Sequence, residues 1–247
     1  MRNTRQTAPM GRAALALAIA WSLAPGGASA QAERRQELVP RFQGPALVEK
    51  LKEGGHVLLL RHMSTLRNPD QWGGVDLGDC STQRVLSDGG RRQAENLGRA
   101  FQKLGIPVGE VIVSPYCRCQ ETGRLAFGKG TVSDVLSVWD ELSMEEKTAR
   151  GAQIRKMLDT PPADGTNTIL ITHTGNLLWS FGLDSRPEGL AHVFKPTGLS
   201  IGRASYLGML SPDEWQALAG LEIPGAEPAG EGALPGAAGE VPAPEEP

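Results

Sequence analysis

LLLRHMST, residues 58–65, runs an unbroken row of leucines straight into an arginine and a histidine side by side. With His56 and Val57 in front of it, HVLLLR is the continuous apolar kind of strand that is buried on both faces, as in a parallel sheet. Such a strand needs helices on either side. Upstream, a short helix is predicted over Pro45 to Glu53, ended by Gly54-Gly55. Downstream, a polar loop through Cys80 leads to a strong helix with Ser87 as N-cap and apolar or small residues at Ala94, Leu97, Phe101 and Leu104. Gly105 and Pro107 close that helix.

The alternation continues along the chain. VGEVIVS (108–114) reads as a strand, and a helix is predicted from Pro115 to about Phe127. Ser114 would be its N-cap and Pro115 its first residue, which places Arg118 in the second turn. TVSDVLSV (131–138) reads as a weaker strand. Ser143 and Glu146 form a capping box for a helix to Leu158, which Pro161-Pro162 cannot extend. NTILIT (167–172) is another buried strand and leads into His173 and a short apolar helix. LAHVFK (190–195) and LSIGRASYLGML (199–210) read as two strands near a sheet edge, followed by a turn at Ser211-Pro212 and a last helical piece. The expected fold class is α/β: a three-layer sandwich with a mostly parallel central sheet flanked by helices.

The two ends have other compositions. Arg2, Arg5 and Arg12 precede the apolar run AALALAIAWSLA, and Ala28-Ser29-Ala30 follows, so residues 1–30 read as a signal peptide cut after Ala30. The apolar run is shorter than the roughly twenty residues that cross a bilayer as a helix. The expected location is therefore periplasmic or secreted. Residues 31–223 form the expected domain, and 224–247, rich in Pro, Gly, Ala and Glu, an expected disordered tail. The whole chain has 25 Lys+Arg against 28 Asp+Glu; removing the three leader arginines and no acid leaves 22 against 28, a net of −6. Five of those acids lie in the tail, so residues 31–223 are nearly neutral, with no basic field for nucleic acid. An anion must be held by a local cluster. Export also predicts one disulfide among Cys80, Cys117 and Cys119, with Cys80 paired to either of the other two and one thiol left over.

In sheets of this kind ligands bind beyond the carboxyl ends of the strands. Arg61-His62, Ser114 and His173 lie at three such ends, and Arg118 lies near a helix start whose free amides attract anions. Guanidinium forks match phosphoryl oxygens, and a neutral imidazole is a nucleophile near pH 7. The implied reaction is attack of His62 on phosphorus, with Arg61, Arg118 and His173 stabilising the transferring group. Ser64 and Asn68, on the loop after the nucleophile, are candidate phosphate contacts. His56 and His192 are expected to be packed side chains. No metal or cofactor is expected, since the histidines lack close ligand spacing and Gly-rich nucleotide loops are absent, and cysteine-based phosphatase chemistry is excluded because no cysteine has an arginine six positions later.

RHMST, SPYCRCQET and THTGN together resemble the histidine phosphatase superfamily, over roughly Val57 to Leu207. The resemblance implies a phosphoglycerate mutase-like fold, His62 as nucleophile in the arginine-histidine pair, and His173 as the second histidine. Ser114, Arg118 and Thr122 match the spacing around the second phosphate-binding arginine. Met63 replaces the usual glycine, and Cys119 a common alanine. The family's proton donor is either an aspartate after the second histidine, which Thr174 rules out, or a glutamate after the second arginine. Glu141 is the expected donor, with Asp140 the alternative; Glu145 and Glu146 are explained by the helix start. The expected activity is an exported phosphomonoesterase acting on small-molecule or glycolipid phosphate esters. A phosphoglycerate mutase-like phosphoryl transferase, or a silent phosphate-ester binder with Met63 crowding His62, are the alternatives.

Overall fold

A computed structural model describes residues 38–67, 70, 74–139, 142–183, 185–199 and 202–221. The leader and tail, Asn68, Asp140 and Glu141 lie outside the described residues. In chain order the elements are α1 (Gly44–Lys52), β1 (Val57–Arg61), a 3-10 turn (Cys80–Thr82), α2 (Asp88–Leu104), β2 (Val108–Val113), α3 (Cys117–Phe127) and β3 (Thr131–Val132). A second 3-10 turn (Asp134–Leu136) follows, then α4 (Met144–Leu158), β4 (Asn167–Thr172), α5 (Thr174–Phe181), β5 (Ala191–Lys195), β6 (Ser205–Leu210) and α6 (Pro212–Leu218).

Among the described residues the strands form one six-stranded sheet in the order β3-β2-β4-β1-β5-β6. The first four run parallel, while β5 is antiparallel to both β1 and β6. Side-chain alternation along β1 explains the three layers. Leu58 and Leu60 enter a core shared with Leu47 of α1, Leu97 and Phe101 of α2, Ala126 of α3 and Trp215 of α6. Val57 and Leu59 enter the opposite core with Ile154 and Leu158 of α4 and Leu177 of α5. The fold is thus an α/β three-layer sandwich with a mostly parallel sheet.

Caps set the helix boundaries. Ser87 accepts from the Gly90 amide, Gly105 closes α2 in the left-handed conformation, and Ser143 with Glu146 makes the full capping box of α4. Two expectations need correction. TVSDVLSV is strand only at Thr131–Val132, because the chain then turns inward to bury Leu136 completely, and the Leu136 carbonyl accepts from Thr172 Oγ1 at 3.0 Å. Burial outweighs further pairing at a sheet edge. Likewise α3 begins at Cys117, with Tyr116 as N-cap; Ser114 and Pro115 lie before the helix, so Arg118 is in its first turn. The reason is that Ser114 Oγ is drawn to His173, and the N1 amide of Cys117 is taken by Gln83 Oε1 at 2.9 Å. The final strand covers only the second half of 199–210.

A disulfide joins Cys80 to Cys117, and Cys119 is a buried free thiol. The bond fastens the loop after β1 to the first residue of α3.

Candidate active site

β2, β4 and β1 are adjacent and parallel, with Val113 opposite Ile171 and Arg61 opposite Thr172. Ser114, His173 and His62 therefore leave the sheet side by side. The backbone holds them there: His62 N donates to Thr172 O at 3.1 Å and Ser114 N to Ile171 O at 2.9 Å. The two imidazoles lie 5.4 Å apart, centroid to centroid.

His62 Nδ1 is 2.9 Å from the Met63 carbonyl. A carbonyl only accepts, so Nδ1 carries the proton and the lone pair of the neutral ring stays on Nε2. Burial, with Arg118, Arg61 and Arg84 nearby, holds the His62 pKa well below the usual histidine range. His173 is depressed in the same way, by burial first and then by His62 and the same arginines. Its Nε2 is 2.7 Å from Ser114 Oγ, while the buried Nδ1 has no partner among the described residues. Both rings are thus neutral at neutral pH.

A cavity of about 310 Å³ opens beside His173, lined by Asp70, Arg84, Arg118, Val138, Trp139, Thr174 and Gly175 as well. Arg118 is almost fully buried; its Nη1 donates to Asp70 Oδ1 at 3.0 Å and to the Arg84 carbonyl at 3.3 Å, and its guanidinium lies 4.5 Å from the Tyr116 ring centre. Arg61 and His62 are not among these lining residues. Arg61 Nη2 donates to Glu188 Oε1 at 2.8 Å and Nη1 to the Ser185 carbonyl at 3.3 Å, and Arg84 Nη2 lies 3.8 Å from the same Glu188 oxygen. In all three arginines the buried Nε has no partner among the described residues. Three forks with spare donors around two neutral imidazoles can hold a dianion.

Arg84, Asp70 and Glu188 were not singled out from sequence. Arg84 sat in an apparently solvated loop, and the signal available was its closeness to Cys80, whose bond to Cys117 brings that loop to Arg118. Glu188 also fixes the loop after β1, accepting from the Thr65 amide at 2.9 Å. Ser64 is held elsewhere: its carbonyl accepts from the Ser87 amide at 3.0 Å, its amide donates to Gln93 Oε1, and it is not among the cavity-lining residues. Gly90 makes that packing possible, since a Cβ there would stand 1.9 Å from the Ser64 oxygen. Thr122 Oγ1 accepts from the Met63 amide at 3.2 Å and donates to the Arg118 carbonyl at 2.7 Å, linking nucleophile loop and arginine helix.

The Met63 side chain is fully buried in the core. Its sulfur fits only because residue 189 is glycine, where a Cβ would come within 2.7 Å. The side chain therefore turns away from the cavity. Burial pushes the Cys119 thiol up to about 12, so it stays protonated beside His173. His56 and His192 are buried, the former bound through its amide to Asn167 and the latter through Nδ1 to the Tyr206 hydroxyl.

Residues 57–175, just under half of the chain, match the family described as histidine phosphatase superfamily (branch 1), a span that brackets both histidines. Among curated proteins the chain is similar to the mitochondrial serine/threonine-protein phosphatase Pgam5 of Drosophila yakuba, 31% identical over 122 residues, which are 49% of this chain and 35% of that one. The Drosophila melanogaster counterpart is 36% identical over 85 residues, 34% of this chain and 26% of its own length. The chain thus spans about a third or less of these relatives. Among solved structures, the protein histidine phosphatase SixA complexed with tungstate has a TM-score of 0.44 at 13% identity, covering 64% of this chain and 97% of that one. A phosphoserine phosphatase from Entamoeba histolytica, in complex with 3-phosphoglyceric acid, has a TM-score of 0.44 at 12% identity, covering 65% and 98%. Scores this low support no functional transfer.

Proposed function

We propose that this protein is a phosphomonoesterase working through a phosphohistidine on His62. The observation that carries the reading is the tautomer: Nδ1 is tethered to the Met63 carbonyl, leaving a neutral Nε2 lone pair in a nest of guanidiniums. In the first step Nε2 bonds to phosphorus and the ester P–O bond breaks. The departing oxygen takes a proton from Glu141, the acid implied by family resemblance. In the second step water attacks phosphorus, the P–N bond breaks, and inorganic phosphate leaves as the carboxylate recovers its proton from that water. Arg61, Arg84, Arg118 and His173 Nδ1 stabilise the charge on the three non-bridging oxygens. The superfamily match and the phosphatase names of the curated relatives support the reaction class.

The setting we propose is outside the cytoplasm, with small-molecule or glycolipid phosphate esters as substrates. Support comes from the leader-like residues 1–30 and from the Cys80–Cys117 disulfide, which persists in oxidising compartments. Mass spectrometry of the mature protein should give Gln31 as its first residue. For the chemistry, p-nitrophenyl phosphate should be hydrolysed in the presence of a chelator, with an acid-labile phosphoprotein trapped on His62. Turnover without such a species in a quenched reaction removes the mechanism.

A further inference from the structure

The cavity lining holds two unlike sets of residues. One is Arg84, Arg118, Asp70 and His173; the other, Val138, Trp139, Thr174 and Gly175, has no charged group. The phosphoryl group belongs with the first set, which leaves the second for the rest of the ester.

Charge limits what that rest can be. Among the described residues, Arg61, Arg84 and Arg118 are already countered by Asp70 and Glu188, within 4 Å in each case. Three cations, two carboxylates and two neutral imidazoles leave one net positive charge, which a dianionic phosphate exceeds. A second anionic group on the substrate would find no spare cation in the cavity lining; Arg150, which donates to the Val138 carbonyl at 3.2 Å, lies outside that lining.

Shape points the same way. Gly175 opens a slot: a Cβ there would lie 3.7 Å from Trp139 Cβ and 4.0 Å from Trp179 Cδ1. Trp139 is buried, with its far ring edge against Gly151, so this side of the slot is rigid. Trp179, one turn along α5 from cavity-lining Gly175, is not itself in the lining but is 52% exposed, a large apolar surface next to it. Lys147 Nζ, 5.1 Å from its ring centre, occupies one face of Trp179 and is not among the cavity-lining residues. Indole surfaces at a cavity mouth take apolar or aromatic groups, and the gain grows with the area they cover.

We propose that the natural substrate is a phosphate monoester of an uncharged apolar alcohol, whose alkyl or aryl group lies in the slot over Gly175 between Trp139 and Trp179. This rests on the phosphomonoesterase reading. The test compares three esters of primary alcohols with purified wild-type protein and Trp179→Ala: 2-phenylethyl phosphate, ethyl phosphate and 3-phosphoglycerate. Wild type should favour phenylethyl over ethyl by about tenfold or more in kcat/KM, on the scale of apolar area covered, with 3-phosphoglycerate the poorest. Trp179→Ala should lose several-fold more activity toward the phenylethyl ester than toward ethyl phosphate. Its inhibition by inorganic phosphate, which does not reach the slot, reports that the variant is folded. Equal use of the phenylethyl and ethyl esters, a preference for 3-phosphoglycerate, or an equal loss on both esters in the folded variant overturns the slot while leaving the reaction class standing. If none of the three is turned over and inorganic phosphate does not bind by calorimetry, the phosphomonoesterase reading itself fails, and the slot with it.

Discussion

β1 has a buried histidine just beyond each end, and the two ends do different work. At the amino end His56 donates its amide to Asn167 Oδ1, while Asn167 Nδ2 donates to the carbonyls of Leu51 and Pro107 at 2.8 and 2.9 Å. One amide side chain thus ties together α1, β1, β4 and the loop before β2. At the carboxyl end more polar atoms are left open: among the described residues the Nε atoms of Arg61, Arg84 and Arg118 and Nδ1 of His173 are buried without a partner, against His56 Nδ1 at the amino end. Buried polar groups are ordinarily paired, because an orphan costs about 1–3 kcal/mol. The same strand therefore ends in a structural knot on one side and a ligand-ready pocket on the other.

Substitution at the two ends should separate activity from stability. His62→Ala should lower phosphatase turnover by at least about 10³-fold, since no other group can form the phosphoenzyme, whereas His56→Ala should leave kcat/KM within a few-fold. A comparable activity loss in both, in folded proteins, would erase the distinction. Arg118→Ala should lower kcat/KM by about 10²- to 10³-fold through loss of transition-state stabilisation, with a smaller change in denaturant midpoint than the amino-end variant below.

Asn167→Ala should destabilise the protein by about 1–3 kcal/mol in urea melts, by leaving the His56 amide unpaired, without moving KM. Cys80→Ala should cost about 2–4 kcal/mol for a closed loop of this size. Unlike Asn167→Ala, it should also raise KM, because the disulfide secures the wall that carries Arg84 and Arg118.

Both ends respond to acid. His56, His62 and His173 all have pKa values depressed chiefly by burial. Below about 6.5, the free histidine value, the unfolded chain takes up protons that the folded protein refuses, so stability falls as pH drops. Melting temperatures should decline from pH 7 to pH 5, and His56→Gln should flatten part of that slope. Activity should behave differently: the acid limb of kcat/KM should lie below the ordinary histidine range, because His62 stays neutral there. A limb at or above that range would mean the nucleophile is not the buried ring described.

Asp70→Asn is the finest probe. Freeing Arg118 from its carboxylate should tighten inorganic phosphate binding by about five- to tenfold, the worth of a partly exposed ion pair. If kcat collapses instead, with phosphate binding unchanged, Asp70 is a proton donor.

Much of this was legible in the sequence by itself. Apolar runs ending in RH and TH marked two buried strands with polar tips, because a fully buried strand cannot place a charge before it leaves the sheet, and VGEVIVS marked a third strand that is partly exposed and carries Glu110. Ser87, Gly105 and the Ser143–Glu146 box marked helix ends, because capping is chemistry within a few residues. What only the tertiary structure decided depends on contacts across long stretches of chain. Ser114 abandoned its expected helix cap for His173, 59 residues away. Cys80 chose Cys117 over Cys119, Arg84 came to the cavity on that bond, and Glu188 closed on Arg61 from 127 residues away. No local pattern encodes such pairings, since they form only when burial makes each polar group find whatever partner the packed layers bring within reach.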